Sequence, residues 1–192
     1  RNDWANKLGL DRPTSFEEAL EMAKRFVTDD PTGEGNQIIG IPINSALFSG
    51  AENLLGFFAA YNAYPTIWTL KDGQVVHGSV QEEVKNALEK LQELYLDGVI
   101  DQNFINKKSW GENKDDAIRN KIGFAFAAGT WGDWLAGDVM NTYGTEASWT
   151  VMGIPAIGGN GYVNSPMPIR QDNVLCGQAS MKYPEALYKL IE

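Results

Sequence analysis

The sequence predicts an α/β fold, a mixed sheet flanked by helices and carrying one β-hairpin. Three observations lead there. Apolar runs of strand length alternate along the chain with segments of helical period. An Asp72-Gly73 pair separates two short β-rich runs, the strongest short-range hairpin signal. The spacing of the runs is uneven, which argues against a regular doubly wound sheet.

The elements follow in order. Thr14-Ser15-Phe16-Glu17-Glu18 is a capping-box start, and Phe16, Ala19, Leu20, Ala23, Phe26 and Val27 give the helix after it one apolar face, ending near Thr28. A glycine-rich loop, Thr32 to Asn36, leads to a buried strand, Ile38–Ile43. A second helix is predicted from Ala51 to Asn62 by the stripe Leu54, Leu55, Phe57, Phe58 and Tyr61. The hairpin pairs Thr66–Leu70 with Gln74–His77. Ser79 opens the clearest helix, with Val84, Ala87, Leu88, Leu91, Leu94 and Tyr95 in period and Asp97-Gly98 as its stop. A short polar helix over Asn113–Asn120 precedes an interior strand, Lys121–Ala128. The loop Gly129–Trp134, a helix from about Asp133 to Met140 and a strand near Ser148–Met152 come next. Pro155–Pro168 is irregular, Asp172–Ser180 reads as a strand, and a last helix begins near Pro184, whose missing amide suits a first turn.

Composition removes several functions. The 192 residues carry 16 Lys+Arg against 25 Asp+Glu, a net charge of −9, so no cationic surplus exists to release counterions from a nucleic acid. The longest apolar stretches, Leu54–Tyr61 and Ile122–Gly129, fall far short of the ~20 residues that cross a bilayer. One cysteine, Cys176, and one histidine, His77, make neither an internal disulfide nor a zinc site. Neither a phosphate loop nor a GxSxG elbow is present, and no cofactor is expected. The sequence assigns no metal. Asp30, Thr32 and Glu34 are the candidates for calcium, at the first, third and fifth places of a loop with glycine at the sixth, but Ile38 and Ile41 stand where later oxygen ligands belong. The other reading of that loop is a tight turn capped by Asp30.

Six tryptophans are many for this length, and Trp131 and Trp134 flank Asp133 in a glycine-bracketed loop at a strand's end. An indole presents a broad apolar face and one N–H donor, which suits stacking on a sugar ring, and Asp133 can accept from hydroxyls. Both tryptophans have a plain alternative as core residues, and Asp133 as a helix N-cap. Asn44 and Ser45, just past the Ile38–Ile43 strand, complete the candidate ligand-binding set. A hydrolase or lyase using Asp133 and Glu52 as its carboxylate pair is the rival reading.

A series of segments, in order, resembles the extracellular solute-binding proteins (family 1) of bacterial ABC importers. These are Arg1–Leu10 with Pro13–Glu18, Asp30-Pro31-Thr32-Gly33-Glu34-Gly35 against the family's "DPNGNG" loop, Asp72–Val76, Leu94–Asp101, Lys121–Phe124 and Lys182–Ala186. The resemblance spans essentially residues 1–192. It implies a periplasmic-binding-protein-like (type II) lobe, part of a two-lobed, hinge-closing protein of about twice this length or more, with 155–172 approaching a hinge crossing. It further implies capture of a sugar or oligosaccharide between the lobes and delivery to ABC permease subunits. The implied place is the outer face of a bacterial membrane or the periplasm, with membrane association only through a lipid anchor outside this segment. A sensory ectodomain of the same fold is a further alternative.

Overall fold

The computed structural model describes residues 1–129, 131–165, 180–183 and 185–189. Seven helices are assigned among them: α1 (Asn2–Lys7), α2 (Phe16–Asp29), α3 (Leu55–Ala60), α4 (Glu82–Leu96), α5 (Trp110–Ile118), α6 (Trp131–Tyr143) and α7 (Ala186–Lys189). Strands β1 (Trp68–Lys71) and β2 (Gln74–His77) form an antiparallel hairpin. No described helix is long and apolar enough to cross a membrane.

Helix α2 starts as the capping box requires. Ser15 Oγ accepts from the Glu18 N–H at 3.2 Å, and the Glu18 carboxylate accepts from the Thr14 and Ser15 amides. Those bonds, Thr14's first, hold the Glu18 carboxyl below its ordinary range. Phe16, Ala19, Leu20, Ala23 and Phe26 are its buried stripe. In the hairpin, Asp72 (φ 53°) and Gly73 (φ 76°) both take positive φ, the signature of a type I′ turn. Trp68, Leu70, Val75 and His77 share one face of it, and Trp68, Leu70 and Val75 are exposed.

At the centre, three extended segments lie side by side in parallel. Ile41 pairs with Ile100 on one flank of segment 38–43, and Ile39 pairs with Ile122 on the other. The Ile41 N–H donates to the Val99 carbonyl and the Ile39 N–H to the Lys121 carbonyl, each at 2.8 Å. This pairing is narrower than the continuous strands the sequence suggests. Pro42 has no N–H to donate, and Gly40 lies so close to Val99 that a Cβ there would sit 2.8 Å from its carbonyl oxygen.

The core gathers on both sides of these segments. Phe16, Phe57, Phe58 and Phe126 pack with Ile41, Leu54, Leu91 and Val99. Ile122, Trp131, Leu135 and Val139 form a second cluster, and Trp4, Phe26 and Ile38 a third. A Cβ on Gly123 would meet the Trp4 ring at 2.1 Å, so that glycine is what admits the indole of α1 against the strand.

Several boundaries differ from the sequence reading. Helix α3 begins at Leu55 rather than Ala51, because Glu52 is paired with Ala127 and the Asn53 side chain caps the Leu55 N–H. Helix α4 begins at Glu82 rather than Ser79, since Gly78 is drawn to the Ile67 carbonyl (2.9 Å) and a 3₁₀ turn intervenes. Helix α5 starts earlier, on a capping box of Ser109 and Glu112. Helix α6 starts at Trp131 and runs to Tyr143. No strand is assigned at 148–152, where Ser148 accepts from the Asn2 N–H. Within the irregular stretch Pro155 pairs with Tyr162 around a 3₁₀ turn at Ile157–Gly159. The expected strand at Asp172–Ser180, but for Ser180, and Pro184 lie outside the described residues.

Candidate functional site

In open parallel sheets, ligands meet the loops that leave the carboxyl ends of the strands. Here segment 38–43 runs into the loop 44–53, and segment 122–127 runs into Ala128, Gly129 and α6. These two loops lie against each other. The Ala128 N–H donates to the Ala51 carbonyl (2.7 Å), the Asn53 N–H to the Phe126 carbonyl (3.3 Å), and Ala51 packs in one cluster with Trp131. The result is a continuous rim that carries most of the sequence-predicted site residues.

Asn44 is buried, and its Oδ1 accepts from the Ala46 N–H at 2.8 Å, an Asx turn that directs the loop away from the strand. Ser45 is exposed, and its N–H donates to the Lys107 carbonyl. Trp131 lies not in an open loop but in the first turn of α6, 4% exposed, with its ring edge-on to Trp149 at 5.1 Å between centroids. Its Nε1–H has no partner among the described residues, and neither has that of Trp149. Both indoles line a cavity of about 660 Å³ that also touches Ala128, Gly129 and Gly132. Asp133 is exposed on the same turn. The Trp134 side chain lies outside the described residues.

Beneath the rim is a group of polar side chains that the sequence reading did not single out as a site. Lys107, 6% exposed, forms ion pairs with Asp101 (2.5 Å) and Asp116 (2.6 Å) and donates to Asn113 Oδ1 (2.9 Å). Burial by itself would lower the Lys107 pKa, but its hydrogen bonds to Asp101 and Asp116 outweigh it and raise the value above that of an ordinary lysine. Asn113 Nδ2 donates to Glu52 Oε1 at 2.8 Å. Glu52 is sealed at 1% exposure, and neither it nor Asp133 lines the cavity, so the carboxylate pair of the hydrolase reading does not face one solvent-filled cleft. Trp149 and Asn113 gave no sequence signal beyond their residue types. Lys107, Asp101 and Asp116 lie too far apart in sequence for their meeting to be read from spacing.

The calcium candidates are engaged with each other. Asp30, in a left-handed conformation at the end of α2, accepts from the Thr32 hydroxyl and from the Thr32, Gly33 and Gly35 amides. The Thr32 hydroxyl, then the Gly35 amide, hold its carboxyl below the usual range. Thr32 Oγ1 accepts from the Glu34 N–H, and the Glu34 carboxylate accepts from Asn36. Among the described residues no group of three or more His, Cys, Asp or Glu is placed to hold a metal ion.

The model of the family described as bacterial extracellular solute-binding protein matches residues 1–174. The polygalacturonan/rhamnogalacturonan-binding protein YtcQ of Bacillus subtilis is 29% identical over 105 residues, 54% of this chain and 20% of that protein. The fructooligosaccharide ABC transporter substrate-binding protein FusA of Streptococcus pneumoniae is 26% identical over 157 residues, 80% of this chain and 27% of its own length. The FusA structure in complex with kestose aligns at a TM-score of 0.52 and 25% identity, covering 63% of this chain and 25% of that one. An extracellular solute-binding protein from Bifidobacterium longum subsp. infantis aligns at 0.62 and 21% identity, covering 82% and 33%. The chain thus spans about a fifth to a quarter of the length of these curated relatives.

Proposed function

The chain belongs to the bacterial extracellular solute-binding protein family, and from that premise we propose that it forms most of one lobe of a protein that captures a sugar or oligosaccharide for an ABC importer. YtcQ and FusA are both described as binding proteins. The observation that carries the reading is the rim itself. Two loops at the ends of parallel segments abut: Trp131 stands between the core and the cavity, and loop 44–53, which does not itself line the cavity, meets Trp131 through Ala51.

The site gives the two kinds of contact a saccharide needs. Trp131 and Trp149 offer ring surface and N–H donors to the cavity, while Ser45 and Asp133, exposed outside its lining, extend the set toward hydroxyls. A second lobe closing over the rim would add contacts only the closed state makes, which is how a ligand shifts an open–closed equilibrium. The closed form then docks on permease subunits at the outer face of the membrane, to which a lipid anchor elsewhere in the protein tethers it.

The test is a thermal-shift screen of the complete protein against kestose, nystose and oligogalacturonides. A ligand at 100 times its Kd adds about 2.7 kcal/mol of stability, which shows as a concentration-dependent rise in Tm. Absence of any shift across neutral and acidic oligosaccharides at millimolar concentration would count against the sugar reading. Trp131→Phe keeps a ring in the core while removing the indole, and is expected to weaken binding of the sugar found in the screen by about ten-fold. Unchanged affinity in a calorimetric titration would remove Trp131 from the site.

A further inference from the structure

Loop 44–53 is fastened at both ends to one small group of buried side chains. At its start, the Ser45 N–H donates to the Lys107 carbonyl at 2.9 Å, and Asn113 Nδ2 reaches the Ile43 carbonyl at 3.4 Å. At its end, the same Nδ2 donates to Glu52 Oε1 at 2.8 Å. The other arm of the amide, Asn113 Oδ1, accepts from Lys107 Nζ. Asn113 is fully buried, and Glu52 Oε2 has no partner among the described residues. Nothing else on the Glu52 side chain is held.

The chemistry of its neighbours leaves Asn113 one orientation and one identity. A lysine ammonium only donates, and an ionised carboxylate only accepts. The short amide joins them because it carries an acceptor on one arm and donors on the other. Leucine would leave Glu52 without a donor and take one of three contacts from Lys107. Aspartate would keep the contact with Lys107 but set a second carboxylate against Glu52.

We propose that Asn113 is a positioning residue for the ligand loop: by tying Ile43 and Glu52 together it sets the shape of residues 44–53, and so governs affinity for a ligand it never touches. The proposal rests on the reading that this loop meets the ligand. It assigns to a buried asparagine on α5 a role in the site that neither exposure nor proximity to the cavity would suggest. A preformed loop avoids the ordering cost that a loose one adds to each binding event.

Asn113→Asp separates this role from simple packing, because its effect depends on protonation. With both carboxylates ionised the variant repels Glu52; once one proton is shared between them, a hydrogen bond returns. The charged groups around the pair are Lys107, Asp101 and Asp116, with Lys121 at 3.9 Å from Asp116. In the complete protein, amide-exchange protection at Ser45, Ala46, Asn53 and Leu54 is expected to fall about ten-fold at pH 8 and to recover at pH 5, with kestose affinity moving in parallel. The wild type, measured alongside, supplies the reference at each pH. Adding Glu52→Gln to the variant restores a donor facing the new carboxylate, and is expected to rescue both readouts at pH 8. Loop protection equal to wild type at pH 8, or a loss that neither acid nor the second substitution reverses, would overturn the proposal. Loop protection that follows the expected pattern in a protein that binds no kestose upholds the positioning role and removes only that sugar.

Discussion

Lys107→Met is expected to cost about 3–5 kcal/mol of stability. Taking two carboxylates out of water is tolerable here only because one ammonium faces both. Lys107 Nζ lies 2.5 Å from Asp101 and 2.6 Å from Asp116, with side-chain exposures of 8%, 6% and 17% for the three groups. Methionine fills the same space and leaves the two anions facing each other without a cation, so the loss is electrostatic rather than a cavity effect. Urea denaturation should show a lower midpoint with an unchanged m-value. A shift of under 1 kcal/mol would mean the pair behaves like the exposed bridges, for example Lys85–Glu82. The pH dependence has a definite sign. The Lys107 pKa is raised on folding, so its contribution is fully present below the ordinary lysine value of 10.5 and is lost only as pH climbs through the higher folded value. Stability from this group is therefore constant through neutral pH and falls in alkali.

Phe57→Ala is expected to cost a comparable ~3–5 kcal/mol, by a different route. Phe57 is 0% exposed and stands among Phe16, Phe58, Tyr61 and Phe126, with ring centroids 5.4 to 6.2 Å apart and mostly edge-to-face. Those four neighbours come from α2, from α3 and the residue just past it, and from the segment ending at Ala127, so they cannot close around the missing ring without moving backbone. Phe57→Leu, which returns most of the volume, should recover more than half of the loss. A deficit for alanine no larger than for leucine would show that the cluster collapses freely.

The fold was legible wherever the determinant was local. The capping box at Ser15 and Glu18, the apolar stripe of α2, the Asp72-Gly73 turn and the period of α4 are all properties of short windows, and the helices and hairpin stand where those windows put them. Boundaries moved where a distant partner intervened. Glu52 pairs with Ala127 and so delays α3, and Gly78 is held by Ile67 and so delays α4. The candidate site divides the same way. Trp131, Asp133, Asn44 and Ser45 were visible as polar or aromatic residues at strand ends. The meeting of Asp101, Lys107, Asn113, Asp116 and Glu52 is tertiary, and the sequence reading named Glu52 only as one carboxylate of the hydrolase alternative, not as a member of this group. Placing Trp131 in a loop failed because glycine on both sides reads as irregular structure, whereas the Ala128 carbonyl takes the Trp131 N–H and the helix begins at once.

The parallel pairing of residue 39 with 122 and of 41 with 100 also has a temporal side. Each of those contacts closes a long loop of chain, and the entropy of that closure is lost before the contacts return anything. Helices α2 and α4 and the hairpin need only near neighbours. The expected order of assembly is therefore helices and hairpin first, the parallel centre afterwards, and the rim last, since both of its loops hang from that centre. A chain emerging from a ribosome cannot complete the rim until residue 127 has been made, and Ile39 has no parallel partner until Ile122 has emerged. Pulse-labelled amide exchange during refolding is expected to protect α4 before Ile39 and Ile41; protection of those two amides first would reverse the order.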